Sequence, residues 1–343
     1  MSALLPEMVD QRKLMALGAS LVITLPRSWL RANDLKKGEM VSVKVQRDQA
    51  LLISPVLGAQ EEKRELHLLM EADEGVASIV RSIIAGFLDG YSSIKLTSKK
   101  FFTVDQQNAI RDVTSSLYMM IIESEANRIL IESLLDESKT SVFLSIERMH
   151  AITYSMCRDI LNSLREPNLG LLRTMDPLES DVDHLMYLIL RLIRQALLKP
   201  SLARQLQLDL PDCLDIQTLV HRIERVADHL KVIANSLIWL IEKGVRMPEE
   251  TLSTLMLAAE IAFSSYDLSV KGFLSKDVSR TNEIIDKEAE IGELYTKIAP
   301  LPLFGDESAS SFNQVILIRE SIRKISHYSA DIAELTIDRA YMS

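Results

Sequence analysis

The chain has 343 residues, of which 47% are hydrophobic, and a formal net charge of −9. A chain of this length is long for one compact core, so we expect two or three folded units. Its acidic balance excludes a protein that coats nucleic acid with its whole surface. No uncharged apolar run approaches the roughly 18 residues that span a bilayer, and the N-terminal segment is too short and too acidic for a signal sequence. We therefore expect a cytoplasmic protein without membrane insertion.

The charge is unevenly distributed along the chain. Residues 1–60 contain eight Lys or Arg and five Asp or Glu, a net charge of +3, which leaves −12 for the remainder. A small basic head is therefore joined to a large acidic body, and any nucleic-acid contact is expected in the head. The two cysteines, Cys157 and Cys213, lie far apart without a CxxC partner. This spacing supplies neither a zinc site nor a disulfide framework, and we expect both side chains to be buried.

The head, residues 1–58, is predicted to consist of strands around one short helix. Residues alternate from Leu21 to Leu25, which predicts a strand, and Pro26 then opens the helix SWLRANDL. Gly38 marks a turn before the strand VSVKV, and a third strand, QALLISP, follows. A unit of this size buries too little apolar surface to be stable alone. We therefore expect it to associate with a second copy.

The stretch LGASLVITLPRSWLRANDLKKGEMVSVKV resembles the AbrB/SpoVT swapped-hairpin family. The resemblance implies an interleaved homodimer that binds operator DNA through basic residues around the first strand and the helix. The chain departs from the family at Ala19-Ser20, where many members carry an arginine after the glycine. The candidate DNA-binding residues are Arg12, Lys13, Arg27, Arg31 and Lys37.

Residues 64–136 are predicted to form a small α+β domain. RELHLLM and YSSIKLTS have the composition of strands, and GVASIVRSIIAGFLDG that of a helix ended by Gly90. A second helix is predicted over VDQQNAIRDVTSSLYMM, and Met119 and Met120 within it are expected to fill the core. This domain carries no recognisable chemical motif.

From Ser138 onward the chain is predicted to be almost entirely helical. Proline, glycine and short polar turns separate the segments. Two successive sets of three helices predict two three-helix bundles, residues 139–243 and 249–341, related as an internal repeat. The fold class is thus mainly α with a small β head. The six predicted helices are residues 139–166, 176–198, 214–243, 249–275, 278–299 and 309–341.

The third predicted helix carries two acids one turn apart, Glu224 and Asp228. Like charges at this spacing repel by roughly 0.2–0.5 kcal/mol unless a cation relieves them. One interpretation is a pair of solvated charges with Lys231 and His221 as partners; the other is a ligand pair. Both acids point away from the apolar seam of the helix. That seam is Leu219, Ile223, Val226, Leu230, Ile233 and Leu237.

The second predicted helix repeats the arrangement with Glu179 and Asp183. Two neighbouring helices, each with an acid pair, can present four oxygen ligands to a divalent cation or to a small cluster of cations. His184 and His229 each follow one of these acids. They are either ordinary histidines of the helix surface, which is the commoner case, or partners that hydrogen-bond the ligands.

ESDVDHLMYLILRLI and HRIERVADHLKVIAN resemble the PhoU family, and the resemblance extends over residues 139–341. It implies two three-helix bundles, an E(D)xxxD metal motif in each half, and regulation of phosphate uptake. The implied cofactor is a divalent or trivalent metal ion, Fe, Zn, Mn or Mg. PhoU-like bundles behind an AbrB-like head resemble the arrangement of archaeal phosphate-uptake regulators. The implied ligands are Glu179, Asp183, Glu224 and Asp228.

The second bundle departs from this motif. Superposing IRKISHYSADIAEL on IERVADHLKVIANS places Arg323 opposite Glu224 and His327 opposite Asp228. In the preceding helix Gly292 stands opposite Asp183. The sequence therefore predicts at most one intact carboxylate site. Arg323 with His327 either holds an anion such as phosphate or pairs with neighbouring acids such as Glu320 and Asp331.

Three functions follow from these patterns. The leading hypothesis is a dimeric regulator whose head binds operator DNA and whose bundles sense metal or phosphate status. The second is an adaptor that never contacts DNA and instead docks on and inhibits a phosphate ABC transporter. The third, a metal-dependent phosphohydrolase, lacks a dedicated general base and a phosphate-binding loop, so we do not expect an enzyme.

Overall fold

A computed structural model of the protein describes residues 11–45, 49–55, 64–71, 74–297 and 308–341. The chain divides into two compact units, Met1–Glu62 and Lys63–Ser343. Strands dominate the first unit, and long helices dominate the second. The prediction of a mainly α protein with a small β head is confirmed.

The head contains two antiparallel strand pairs and one short helix. β1 (Met15–Leu17) pairs with β2 (Ser20–Val22), and β3 (Val41–Val45) pairs with β4 (Leu51–Pro55). Pro26 precedes α1 (Arg27–Ala32). Strand β1 was not predicted, because the run LMAL lacks the alternation that marks a strand. The predicted second strand ends at Leu25, three residues beyond the observed end of β2.

Apolar side chains of the head remain exposed to solvent. None of the head residues whose burial is described is buried. A patch of this extent marks an interaction surface rather than a finished core. The exposed large residues are Leu14, Met15, Leu17, Leu21, Ile23, Met40, Val43, Val45 and Leu51.

The second unit begins with an α+β domain built on one four-stranded sheet. Its strand order is β5-β6-β8-β7, with β5 parallel to β6 and the other neighbours antiparallel. The two helices pack on one face of the sheet, where Ile94 and Ile131 meet Ile79, Phe87 and Ile110 in a buried core. The elements are β5 (Glu65–Met70), α2 (Val76–Leu88), β6 (Ser93–Ser98), α3 (Val104–Ser116), β7 (Met119–Ser124) and β8 (Arg128–Ser133).

Helix α3 is shorter than the sequence analysis predicted. It ends at Ser116, Tyr118 adopts a positive φ of 54°, and Met119 and Met120 begin strand β7. Alternate residues of a strand point to opposite faces, so Met119 is buried while Met120 is 47% exposed. The prediction that both methionines fill the core is therefore wrong for Met120.

In the described residues that follow, six long helices form two sets of three. Two short helices, α5 (Leu169–Arg173) and α7 (Pro200–Gln205), lie in the connections and were not predicted. Among the described residues, no helix combines the length and the apolar composition that crossing a membrane requires. The first set is α4 (Val142–Arg165), α6 (Met175–Leu198) and α8 (Leu210–Glu242), and the second is α9 (Glu249–Ser275), α10 (Thr281–Lys297) and α11 (Ser308–Tyr341).

Helix α8 begins four residues before its predicted start. The Asp209 side chain accepts a hydrogen bond from the backbone N–H of Asp212, and the Asp212 side chain accepts one from the backbone N–H of Asp209. This capping box satisfies two donors at the helix start, and Pro211 is tolerated in the first turn because its missing N–H has no helical acceptor there.

One continuous apolar core joins the two sets of helices. All six residues of the α8 seam are buried, as predicted. Cys157 and Cys213 are free and buried, which is also as predicted.

Helix α6 also anchors the α+β domain. The buried Arg191 guanidinium donates to the carbonyls of Phe87 (2.6 Å) and Tyr91 (3.1 Å) and to Glu137 Oε1 (2.8 Å). One turn further along α6, the Gln195 side chain lies against Gly90, where any Cβ would come within 2.0 Å of it. The helix that carries Glu179 and Asp183 is therefore also the helix on which the sheet domain rests.

Candidate metal site

The four predicted ligands lie on two packed helices of the first bundle. Glu179 and Asp183 belong to α6, and Glu224 and Asp228 belong to α8. Each is half-buried, because it stands directly beside the buried seam of its helix. The acids thus stand at the margin of the core, where a carboxylate is only partly hydrated.

The pKa values of two of these carboxyl groups show that the acids influence one another. Burial, followed by the charges of Glu179 and Asp228, raises the pKa of Asp183 to about 6. Burial, followed by the charge of Asp228, raises the pKa of Glu224 to about 7, with Asp183 contributing. Negative charge is therefore incompletely neutralised at this surface.

Two cations serve the four carboxylates. Lys231 Nζ lies 3.1 Å from Glu179 Oε2 and 3.1 Å from Asp176 Oδ1 on the opposite helix. Arg225 Nη1 lies 3.0 Å from Asp228 Oδ2. The expected pairing of Lys231 with Asp228 is therefore wrong, because Lys231 reaches across to α6 while Arg225 pairs with Asp228.

The Glu224 carboxylate and the Asp183 carboxylate have weaker neutralisation. Arg225, rather than the expected His221, is the cation beside Glu224, with Nε 3.6 Å from Oε2. Asp183 Oδ1 is buried and has no hydrogen-bond partner among the described residues. A buried carboxylate oxygen without a donor is costly, so Asp183 is the group that a bound cation would stabilise most.

The donor set suits a hard cation, since all four side chains offer carboxylate oxygens. Within the described residues, however, no group of three or more His, Cys, Asp or Glu side chains already converges as a metal site requires. In this arrangement Lys231 and Arg225 form ion pairs with carboxylates of the set. A metal ion would have to take over their role.

The two histidines beside the acids are bonded to serines. His184 Nε2 lies 3.2 Å from Ser180 Oγ, and His229 Nδ1 lies 3.3 Å from Ser321 Oγ on α11. Burial lowers the pKa of both imidazoles. Neither of these hydrogen bonds involves one of the four acids, so the geometry favours the interpretation as ordinary helix histidines.

Tyr187, beside the acids on α6, was not predicted from the sequence. Burial and the charges of Asp183, Glu224 and Glu179 raise the pKa of its phenol. Tyr187 also packs against the cores of both the bundles and the α+β domain. Its position one turn after Asp183 on α6 was the signal that could have identified it.

At the corresponding surface of the second bundle, the charges are balanced within the chain. His327 Nδ1 lies 2.9 Å from Glu288 Oε1, and Arg323 Nε lies 3.4 Å from Glu320 Oε2. Asp331, 2.9 Å from Arg222, is 3.9 Å from His327. Of the two interpretations of Arg323 and His327, the geometry favours pairing with acids over an anion site.

The five candidate DNA-binding residues are all exposed in the head. Arg27 and Arg31 lie one turn apart on α1, while Arg12 and Lys13 precede β1. Lys37 follows α1 in the segment before β3. Solvent-exposed cations at these positions can reach phosphate groups, and their role stays a prediction.

Comparison with known proteins gives two domain matches. The PhoU domain family matches residues 146–237, and the family described as antidote-toxin recognition MazE, bacterial antitoxin, matches residues 17–60. Among curated protein sequences, none matches this chain significantly.

Two solved structures are similar to part of the chain. PhoU from Pseudomonas aeruginosa is 17% identical, covers 59% of this chain and 96% of its own, and superposes with a TM-score of 0.49. The phosphate transport system regulatory protein PhoU from Streptococcus pneumoniae is 17% identical, covers 57% of this chain and 91% of its own, and gives a TM-score of 0.48.

The matched segments contain most of the predicted functional residues. All four acids lie within the PhoU match, and Arg27, Arg31 and Lys37 lie within the MazE match. The chain thus carries a PhoU domain in its first helical bundle and a MazE/AbrB-like domain at its N-terminus.

Proposed function

We propose that this protein is a dimeric regulator of phosphate uptake, whose head binds operator DNA and whose first bundle responds to a bound metal ion. The observation that carries the proposal is the acid surface inside the PhoU domain, where four half-buried carboxylates share two cations. The buried Asp183 Oδ1 has no hydrogen-bond partner among the described residues. In the proposal, this surface binds one further cation.

In this proposal Glu179, Asp183, Glu224 and Asp228 hold the ion. Iron, zinc, manganese and magnesium are the candidates, and the all-oxygen donor set favours Mg²⁺, Mn²⁺ or iron over zinc. A bound ion supplies the positive charge that the carboxylates lack. Asp183 and Glu224 must lose their protons to act as ligands, so affinity is expected to rise with pH through their pKa values of about 6 and about 7.

The head supports the DNA-binding part of the proposal. Its exposed apolar residues offer a surface for a second copy, and a dimer presents the basic positions twice, once to each half-site. Contacts from Arg27, Arg31 and their neighbours to phosphate groups would make binding fall steeply with salt.

Helix α6 offers a route from the acid surface to the rest of the unit. Its N-terminal half carries Glu179 and Asp183, and its C-terminal half carries Arg191 and Gln195 against the α+β domain. A ligand regulates only if it favours one arrangement of these parts over another. Neutralising the acids is expected to change the packing of α6 on α8.

A mobility-shift titration against the chain's own upstream DNA, at two salt concentrations and with and without Mn²⁺, tests the DNA-binding part. Specific binding should weaken at the higher salt, and Arg27→Gln with Arg31→Gln should reduce both the affinity and its salt dependence. A Lys243→Gln variant, changed in an exposed cation outside the head, is the control. Absence of any salt-dependent shift would favour the adaptor that docks on a phosphate transporter.

Elemental analysis tests the metal part. The purified wild-type chain should contain metal that the Asp183→Asn, Asp228→Asn double variant lacks. Equal metal content in both proteins would remove the acid surface as a metal site and leave the DNA-binding head to be judged separately.

A further inference from the structure

The sheet of the α+β domain has one face on which neither of its helices packs. Helices α2 and α3 bury the side chains on the opposite face. On the open face Leu69 is 63% exposed, Met120 is 47% exposed and Ile122 is 45% exposed. Leu130, on the inner strand β8, is half-buried between its neighbours. Four apolar residues on one flat surface mark an interaction site.

Two charged residues of this face, one cation and one anion, form no ion pair with another described residue. His67 pairs with Glu65 at 3.0 Å, and Arg128 pairs with Glu123 at 3.0 Å. Within the described residues Lys95 and Glu132 enter no salt bridge. The two belong to adjacent inner strands.

Lys95 and Glu132 both lie close to Leu130, at the centre of the face. Lys95 stands directly opposite Leu130 in the ladder between β6 and β8, and Glu132 follows two residues later on the same side of β8. A positive and a negative group therefore lie next to the apolar centre of the face.

We infer that this face binds the same face of a second copy of the chain. A two-fold axis that places β6 over β8 of the copy sets Lys95 of each chain over Leu130 of the other and one diagonal step from its Glu132, twice. Isologous contacts need such self-complementary pairs, and a surface shaped for a foreign partner does not. Leu130 then lies near the centre of the contact, with Leu69, Met120 and Ile122 around it.

The size of the face indicates how strong this contact is. Four strands of about six residues cover an area of roughly 400 Å² per copy, given strand spacings of about 4.8 Å and a rise of about 3.3 Å per residue. A stable interface buries about 1,600 Å² in total. The contact is therefore weak alone and depends on a dimer already formed by the head, so the inference rests on that part of the proposed function. Tethering raises the effective concentration into the millimolar range.

Cross-linking of the full-length chain tests the inference. A Leu130→Cys variant is treated with a bis-maleimide whose spacer of about 10 Å matches the separation of packed sheets. The native thiols are buried and serve as an internal blank. Leu144→Cys, at a 65% exposed position on α4, is the matched control. We expect at least fivefold more cross-linked dimer from Leu130→Cys than from Leu144→Cys.

Charge exchange makes the test specific for the two-fold geometry. Lys95→Glu and Glu132→Lys should each reduce cross-linking of the Leu130→Cys chain several-fold, and the two together should restore it. If neither substitution changes the yield of cross-linked dimer, the inferred pairing is overturned and an edge-to-edge contact is favoured. Thr97→Cys, on β6 near the same centre, replaces Leu130→Cys if that variant misfolds.

Light scattering of the wild-type chain separates the inference from the proposed function. A dimer whose Leu130→Cys form cross-links no better than the control overturns the sheet contact and leaves the head dimer standing. A monomer overturns the head dimer and, with it, the sheet contact that depends on that dimer, whereas a dimer whose Leu130→Cys form cross-links above the control supports both.

Discussion

The two helical bundles keep the same architecture but treat equivalent surface positions in opposite ways. In the first bundle, four carboxylates share Lys231 and Arg225, and Asp183 is left with an unbonded buried oxygen. In the second, His327 and Glu288 neutralise each other. Buried seam positions maintain a bundle, while the charged flank beside them is free to change. The first bundle leaves one carboxylate oxygen without a hydrogen-bond partner among the described residues, whereas the second pairs these charges within the chain.

The largest expected effect is loss of metal-dependent stabilisation in the first bundle. With Mn²⁺ at about 100 times its dissociation constant, wild-type stability should rise by about 2.7 kcal/mol, which melting in the presence and absence of Mn²⁺ will show. Asp183→Asn with Asp228→Asn should show no rise, because two of the four ligands lose their charge. His327→Gln, changed in the second bundle, should keep the full response. An unchanged response in the double variant would contradict the proposed site.

Restoring acids to the second bundle should sharpen the comparison. A triple variant, Gly292→Asp, Arg323→Glu and His327→Asp, recreates the first-bundle pattern. The space around Gly292 is open, with nothing within 4 Å of an added Cβ, so the new side chain fits. Metal content by elemental analysis should rise relative to wild type, and metal-free stability should fall by about 1 kcal/mol, because like charges are placed together. Unchanged metal content would show that more than the acids distinguishes the bundles.

The metal-free protein should lose stability as pH rises. Asp183 and Glu224 have pKa values of about 6 and about 7, above those of an unfolded chain, so the folded state binds more protons between about pH 4 and 7. Stability should therefore fall through this window, by on the order of 1 kcal/mol once solvent screening is allowed for. Urea unfolding at pH 5 and pH 8 in the presence of a chelator measures it. Asp183→Asn with Glu224→Gln should flatten the difference, and a steeper fall in that variant would contradict the assignment.

The smallest effect should come from the second bundle's internal pair. His327 and Glu288 are both largely exposed, so His327→Gln should change the free energy of unfolding by no more than about 0.5 kcal/mol. Urea unfolding of the two proteins at pH 6 will test this, with Glu288→Gln as the matched partner variant. A loss of more than about 2 kcal/mol in the free energy of unfolding would show that the pair stabilises the fold more than its exposure indicates.

Much of the helical fold followed from local signals. Pro248 and the left-handed Lys276 delimit α9 at the predicted residues, and the seam from Leu219 to Leu237 fixed the buried face of α8. Strand β1 and the start of β7 were missed because short apolar runs have no period that separates strand from helix. The small helices α5 and α7 depend on how the bundle ends pack, which no local pattern contains.

The acids of the candidate site were also accessible from sequence, since a spacing of four places both carboxylates on one side of a helix. Which cation serves which acid was not, because Lys231 pairs with Glu179 across the gap between two helices. The unbonded oxygen of Asp183 is likewise a product of the packing of α6 against α8. Distances between helices, rather than positions along them, decided these contacts.

Arg191 joins helix α6 to the sheet domain within the second unit. Its guanidinium, 3% exposed, donates hydrogen bonds to the carbonyls of Phe87 and Tyr91 in the sheet domain. Lifting the sheet domain off α6 would break both hydrogen bonds, each worth about 1.5–3 kcal/mol for a charged donor. The sheet domain and the first bundle should consequently move as one rigid body, so that a tilt of α6 would move the sheet with it.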